Sequence, residues 1–131
     1  MPTWNIPSNL KQLVDADPNK TWEDSAWKPI LLTVMGETYY RGRDIPLAWQ
    51  IEFEPEYESF DAANEKLTAL DLDADGYGWA SLIKSVIAKH HPEVIDELQF
   101  GDTESSTCVI WAESESTCKI LMEVAWNLIH G

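Results

Sequence analysis

The sequence predicts a single α+β domain: a small antiparallel or mixed sheet with helices packed on it and a helix at the C-terminus. Three observations predict it. Residues 30–35, Ile-Leu-Leu-Thr-Val-Met, form an unbroken apolar run rich in β-branched side chains, as in a buried strand. Residues 47–54 alternate apolar and polar, the period of a half-buried strand. Residues 114–129 place apolar side chains at helical spacing. The length of 131 residues suits one domain spanning 1–131, and no repeat, linker or low-complexity tract divides it.

Taken in order, Ser8 can cap a short helix over Asn9 to Asp15, with Leu10, Leu13 and Val14 on one side. Asp17-Pro18-Asn19 reads as a turn. The apolar run after Pro29 reads as a strand that Gly36 ends, and Arg41 to Pro46 as a connection. Leu47, Trp49, Ile51 and Phe53 then alternate with Ala48, Gln50, Glu52 and Glu54 until Pro55. Ser59 or Asp61 can cap a helix to about Leu70, burying Phe60, Ala63, Leu67 and Leu70. A loop from Asp71 to Gly78, rich in Gly and Asp, leads to a helix from Trp79 to His90 with Trp79, Leu82, Ile83, Val86 and Ile87 inward. Pro92 opens a helical turn carrying Val94, Ile95 and Leu98. A polar turn, Gly101 to Ser106, precedes a strand from Thr107 to Ala112. Ser114 then caps a closing helix to Ile129 whose expected buried face is Ile120, Leu121, Val124, Trp126 and Leu128.

Charge excludes several classes of function. Nine Lys and Arg stand against 23 Asp and Glu, a formal charge of −14. Such a field keeps a protein soluble and monomeric, or at most weakly dimeric, and repels nucleic acid and anionic membrane. Direct nucleic-acid binding needs a basic stripe, and the only arginines are Arg41 and Arg43. The field attracts a basic protein partner and speeds encounter with it. No apolar run reaches the ~18 residues of a membrane span, and the start, Met-Pro-Thr-Trp-Asn, is no signal peptide. A cytoplasmic protein is therefore expected, with Cys108 and Cys118 reduced; ten residues apart, they fit no zinc or redox spacing. The seven tryptophans are spread along the chain, which suits core use in every element better than one binding box.

Candidate chemistry is sparse. Glu52, Glu54, Glu56 and Glu58 recur every second residue, with Asp61 close behind. Were the strand to continue, all four would project from one face, either as a solvated surface or as a partner-binding ridge. Asp71-Leu-Asp73-Ala-Asp75-Gly76 matches the first half of an EF-hand loop. The twelfth position, which should supply a bidentate glutamate, is Leu82, so the aspartates read as a capping turn and at most a weak calcium site. They form a second candidate group for partner contact, with Tyr77 as an aromatic anchor. His90-His91 read as a helix C-terminus and surface pair, because neighbouring positions on a helix diverge. No nucleophile elbow, kinase signature or phosphate loop occurs. No catalytic residue, metal ligand or cofactor is therefore expected, and the chain reads as a binder rather than an enzyme.

One resemblance is visible. Asp75-Gly76-Tyr77-Gly78-Trp79-Ala80-Ser81-Leu82 leads into an apolar helix. His91-Pro92-Glu93-Val94-Ile95-Asp96-Glu97-Leu98-Gln99-Phe100 follows, then a polar turn, Val109-Ile110-Trp111-Ala112 and a last helix. This stretch, about residues 52–129, resembles the immunity protein 51 family of bacterial polymorphic toxin systems. The family pattern is a Gly-x-x-Trp helix start, a Pro-Glu helix, an acidic turn and a strand–helix ending. The chain departs from it in its Thr103-Glu104-Ser105-Ser106-Thr107 turn and its tryptophan-rich start. The resemblance implies a cytoplasmic protein that binds and neutralises a cognate toxin. The acidity of the chain suggests a basic toxin such as a nuclease. Two other readings stand beside it: an acidic mimic of nucleic acid that blocks a DNA-binding enzyme, and a small metal-dependent enzyme.

Overall fold

A computed structural model describes residues 1–40 and 42–131; Arg41, the first residue of the expected connection, lies outside the described residues. The chain order is α1 (Leu10–Ala16), β1 (Thr21–Asp24), β2 (Leu31–Tyr40), β3 (Arg43–Phe53), α2 (Asp61–Ala69), α3 (Gly76–His90), β4 (Leu98–Gln99), β5 (Cys108–Ala112) and α4 (Glu115–His130). The strands form one antiparallel sheet in the order β1-β2-β3-β5-β4.

One face of the sheet carries the core. The register aligns Leu32 with Ile51 and Val34 with Trp49, and β5 adds Ile110 opposite Ile51 and Cys108 opposite Phe53. The alternation expected along residues 47–53 thus places Trp49, Ile51 and Phe53 in the interior. All four helices bury residues in this same cluster: Leu10 and Val14 from α1, Ala63 and Leu67 from α2, Trp79, Ile83 and Ile87 from α3, and Leu121, Met122, Ala125 and Ile129 from α4. Aromatic rings tie it to both ends of the chain. Trp27 meets Trp4 and Trp126 edge-on, and Trp4 stacks on Trp49.

Several expectations are corrected. The strand at 30–35 does not end at Gly36 but runs to Tyr40, because β3 starts at Arg43 and extends the ladder past it. Val14 packs where a Gly36 Cβ would point, 2.8 Å away, so the glycine serves close packing rather than termination. Leu13 and Leu70 are exposed: α1 buries Leu10 and Val14 instead of Leu13, and Leu70 lies just past the end of α2. Neither Ser59 nor Asp61 caps α2: Glu58–Phe60 form a 3-10 turn and Phe60 takes the cap position. The next helix begins at Gly76 rather than Trp79. Leu98 belongs to β4, not to the helical turn after Pro92, which is a 3-10 helix over Pro92–Glu97. On α4 the fully buried stripe is Thr117, Cys118, Leu121, Met122, Ala125 and Ile129, while Ile120, Val124, Trp126 and Leu128 are only half-buried.

The β2–β3 hairpin bends over the other face of the sheet. Its ladder pairs Gly36 with Leu47 and Thr38 with Ile45 but omits Glu37 opposite Pro46. Pro46 has no N–H to donate, and Glu37 takes a left-handed backbone, φ 52°. Beyond this break Tyr40 lies seven residues along β2 from Thr33, about 23 Å in an extended strand. Thr33 heads the row Thr33–Gln50–Trp111–Gln99 that runs across the sheet. Yet the Tyr40 hydroxyl donates to Gln99 Oε1 at 2.6 Å, and the Tyr40 ring meets Trp111 edge-on at 4.9 Å. Only a tip that turns back across the sheet satisfies both. The result is a second small cluster made by strand residues alone: Ile45, Ala48 and Trp111, flanked by Met35 and Tyr40.

Candidate partner-binding surfaces

The expected glutamate ridge is not a strand face. β3 stops at Phe53, Glu54 to Tyr57 turn, and Glu58 enters the 3-10 turn. A carboxylate at every second position shares a face only while the strand is extended, and of the four only Glu52 lies on it. Glu54, Glu56, Glu58 and Asp61 are all exposed, and Glu52 is half-buried. The Glu54 carboxylate beside the Tyr57 hydroxyl raises the tyrosine above its ordinary value. Burial pushes Glu52 up as well, helped by the negative charges of Glu23 and Glu54. Glu23 is a neighbour that the sequence did not disclose. It pairs with Thr33 across β1–β2, and Leu31 on the same strand pairs with Glu52, so the two carboxylates lie diagonally across β2. The four residues of β1 are too short to show a strand period in the sequence.

The aspartate loop divides by role. Asp75 caps α3, its Oδ1 accepting from the Gly78 N–H at 2.9 Å. Asp71 and Asp73 are exposed, and Asp71 holds a left-handed backbone, φ 59°. The sixth position of the partial EF-hand pattern, Gly76, is already helical, and Leu82 at the twelfth is half-buried on α3. Among the described residues no group of three or more His, Cys, Asp or Glu could hold a metal ion. Tyr77 projects outward on the first turn of α3 beside Ala80, Ser81, Lys84 and Phe100. His91 Nδ1 lies 3.8 Å from a Glu93 carboxylate oxygen. Burial pushes the Cys108 thiol up to about 12 and drives Cys118 higher still, so both are protonated at neutral pH and poor nucleophiles.

A surface missed by the sequence lies on the sheet face that the helices leave open. A cavity of about 330 Å³ is lined there by Met35, Thr38, Tyr39, Tyr40, Ala48, Gln50, Gln99, Gly101, Asp102 and Trp111. The alternation along β3 places the row Ala48, Gln50, Glu52 on the outward side of a strand. What no local pattern disclosed is the fold-back of the hairpin, which converts an outward row into a walled hollow. Elsewhere on the hairpin, Arg43 is bridged to Glu113.

The sequence motifs of the resemblance acquire a physical meaning in the fold. Gly76 donates its N–H to Ser105 O at 2.8 Å, and a Cβ there would stand 1.9 Å from Glu104 O. Gly78 would place a Cβ 1.7 Å from Asp73 O. Trp79 is fully buried against Phe53 and Phe60 and donates from Nε1 to Asn64 Oδ1 at 2.8 Å. The Gly-x-x-Trp start is thus a clamp: glycine admits the turn before β5, and tryptophan locks α3 to α2 and the sheet.

Together these features describe a small α+β domain with many exposed carboxylates and an open, walled sheet face. A family model described as immunity protein 51 matches residues 46–129, and the chain belongs to the immunity protein 51 family. The match begins inside β3 and runs nearly to the end of α4. A search of curated proteins and a search of solved structures each gave no match. No helix among the described residues is long and apolar enough to cross a membrane.

Proposed function

We propose that this protein binds a cognate bacterial toxin in the cytoplasm and neutralises it, acting as a stoichiometric inhibitor and not as an enzyme. Membership of the immunity protein 51 family is the observation that carries this reading. The charge of −14 narrows the partner: it favours a basic toxin domain, such as a nuclease, whose own surface is built to approach phosphates. Carboxylates paired with Lys and Arg around an aromatic anchor suit such an interface. The exposed carboxylates Glu54, Glu56, Glu58 and Asp61, with half-buried Glu52, form the first contact surface. Asp71, Asp73 and Tyr77 form the second, beside Asp75, whose carboxylate is engaged in the α3 cap.

The test is co-expression with the toxin domain encoded beside this gene, followed by association kinetics on the purified pair. Protection of the host and a stable complex are expected. Raising salt should slow association by about tenfold or more with a smaller change in dissociation. Changing Glu54, Glu56, Glu58 and Asp61 together to Lys should reproduce that slowing at low salt. Absence of a complex would reject the toxin-binding reading, and an association rate indifferent to salt would reject its electrostatic part.

A further inference from the structure

We infer that the cavity on the open sheet face receives an arginine side chain presented by the toxin, an inference that rests on the toxin-binding reading and assigns its anchor. Three properties of the wall point to a guanidinium. The first is aromatic surface: Tyr39 lines the cavity beside Tyr40 and Trp111, and flat cations stack on an exposed ring. Tyr39 leaves 69% of its surface exposed, so its ring is available to an incoming group. The second is acceptor chemistry. Thr38 and Gln50 carry a hydroxyl and an amide oxygen in the wall, and Asp102 is a carboxylate at the rim. A guanidinium has five donors and no acceptor, which matches a wall of this kind.

The third is preorganisation. Tyr40 is held by its hydrogen bond to Gln99 and its edge contact with Trp111, and Trp111 is only 8% exposed. These two rings therefore do not need to be ordered when the partner arrives, which removes part of the entropy cost of binding. Other occupants fit less well. An anion or a nucleic acid meets the field of a chain with charge −14, and so does a second copy of this chain. Lysine brings a strongly hydrated point charge and lacks the planar fork that stacks and donates in one plane. Met35 and Ala48 complete the wall with apolar surface for the methylene stem of the arginine.

Two experiments test this. Titrating the isotope-labelled protein with N-acetyl-arginine methylamide should shift the Trp111 indole N–H and the Gln50 and Gln99 side-chain amides. The neutral isostere N-acetyl-citrulline methylamide should leave them in place. Equal shifts with both compounds, or shifts confined to other surfaces, would overturn the inference. In the second experiment Tyr39→Ala and Asp102→Asn, both at exposed positions, should each weaken the toxin complex by about tenfold while the melting temperature stays that of the wild type. A wild-type protein that binds the toxin alongside variants that bind equally well would remove the cavity from the interface and leave the toxin-binding reading intact. A wild-type protein that fails to bind the toxin would reject that broader reading, and the arginine titration would still decide the cavity.

Discussion

Glu52 shows how a single side chain can carry a cost that the fold does not relieve. Its carboxyl sits above its ordinary value through burial first, then through Glu23 and Glu54. The folded state therefore binds this proton more tightly than the unfolded chain does. Ionised Glu52 opposes folding above the raised value, and the opposition fades as pH falls through it toward the unfolded value. Glu52→Gln is expected to raise the melting temperature at pH 7. That gain should shrink in melts run progressively closer to pH ~4, the ordinary range for glutamate. A gain unchanged by acid would mean that the side chain's shape, and not its charge, is responsible. The outward direction of Glu52 was legible from the alternation along β3. Its charge neighbour was not, because Glu23 reaches it only through the pairing of β1 with β2.

At the scale of elements, the start of α3 joins three parts of the chain. Asp75 caps it, the turn at Glu104–Thr107 rests on Gly76, and Trp79 fills the space beneath. Backbone oxygens stand where a Gly76 Cβ would go, so neither a rotamer change nor a flexible side chain can make room. Gly76→Ala is expected to destabilise by ~1–3 kcal/mol or more, the range for overpacking a tight site, as read from denaturant midpoints. Ala74→Gly in the exposed loop nearby should have a far smaller effect. The edge of β5 is protected by a second device. The Thr103 hydroxyl donates to Val109 O at 2.8 Å and accepts from Val109 N–H at 3.1 Å, completing a ladder that two-residue β4 is too short to cover. Long periodic elements were legible: α4 and the greater part of α3 and β3 follow from spacing alone. Short ones were not. β1 and β4 have four and two residues, too few for a period to show, and exist because a neighbour pairs with them.

For the whole molecule, the family match and the folding unit do not coincide. The match begins at residue 46, yet β3 pairs with β2 along almost its full length. Trp4 and Trp27 from the unmatched part pack on Trp49 and Trp126 from the matched part. A fragment spanning 46–131 loses two of five strands and the first helix. It is expected to show no cooperative thermal transition and to expose its apolar sheet face to hydrophobic dyes. A cooperative melt from that fragment would show that the matched segment is a folding unit in its own right. The open face is likewise a property of the whole molecule: its cavity combines residues of β2, β3, β4 and β5 with the loop at Gly101–Asp102.

By itself the sequence determined the α+β class, the main helices, the inward side of β3, the acidic field and the family. Each of these depends on composition, on period, or on motifs contained in short windows. Tertiary structure alone decided that the glutamate row leaves the strand after Phe53, which stripe of α4 is buried, and that the hairpin folds back to wall a cavity. Those outcomes depend on how distant segments compete for the same space. A pairing partner, a missing N–H at Pro46 or a tyrosine reaching Gln99 acts between residues far apart in sequence, where no local pattern records it.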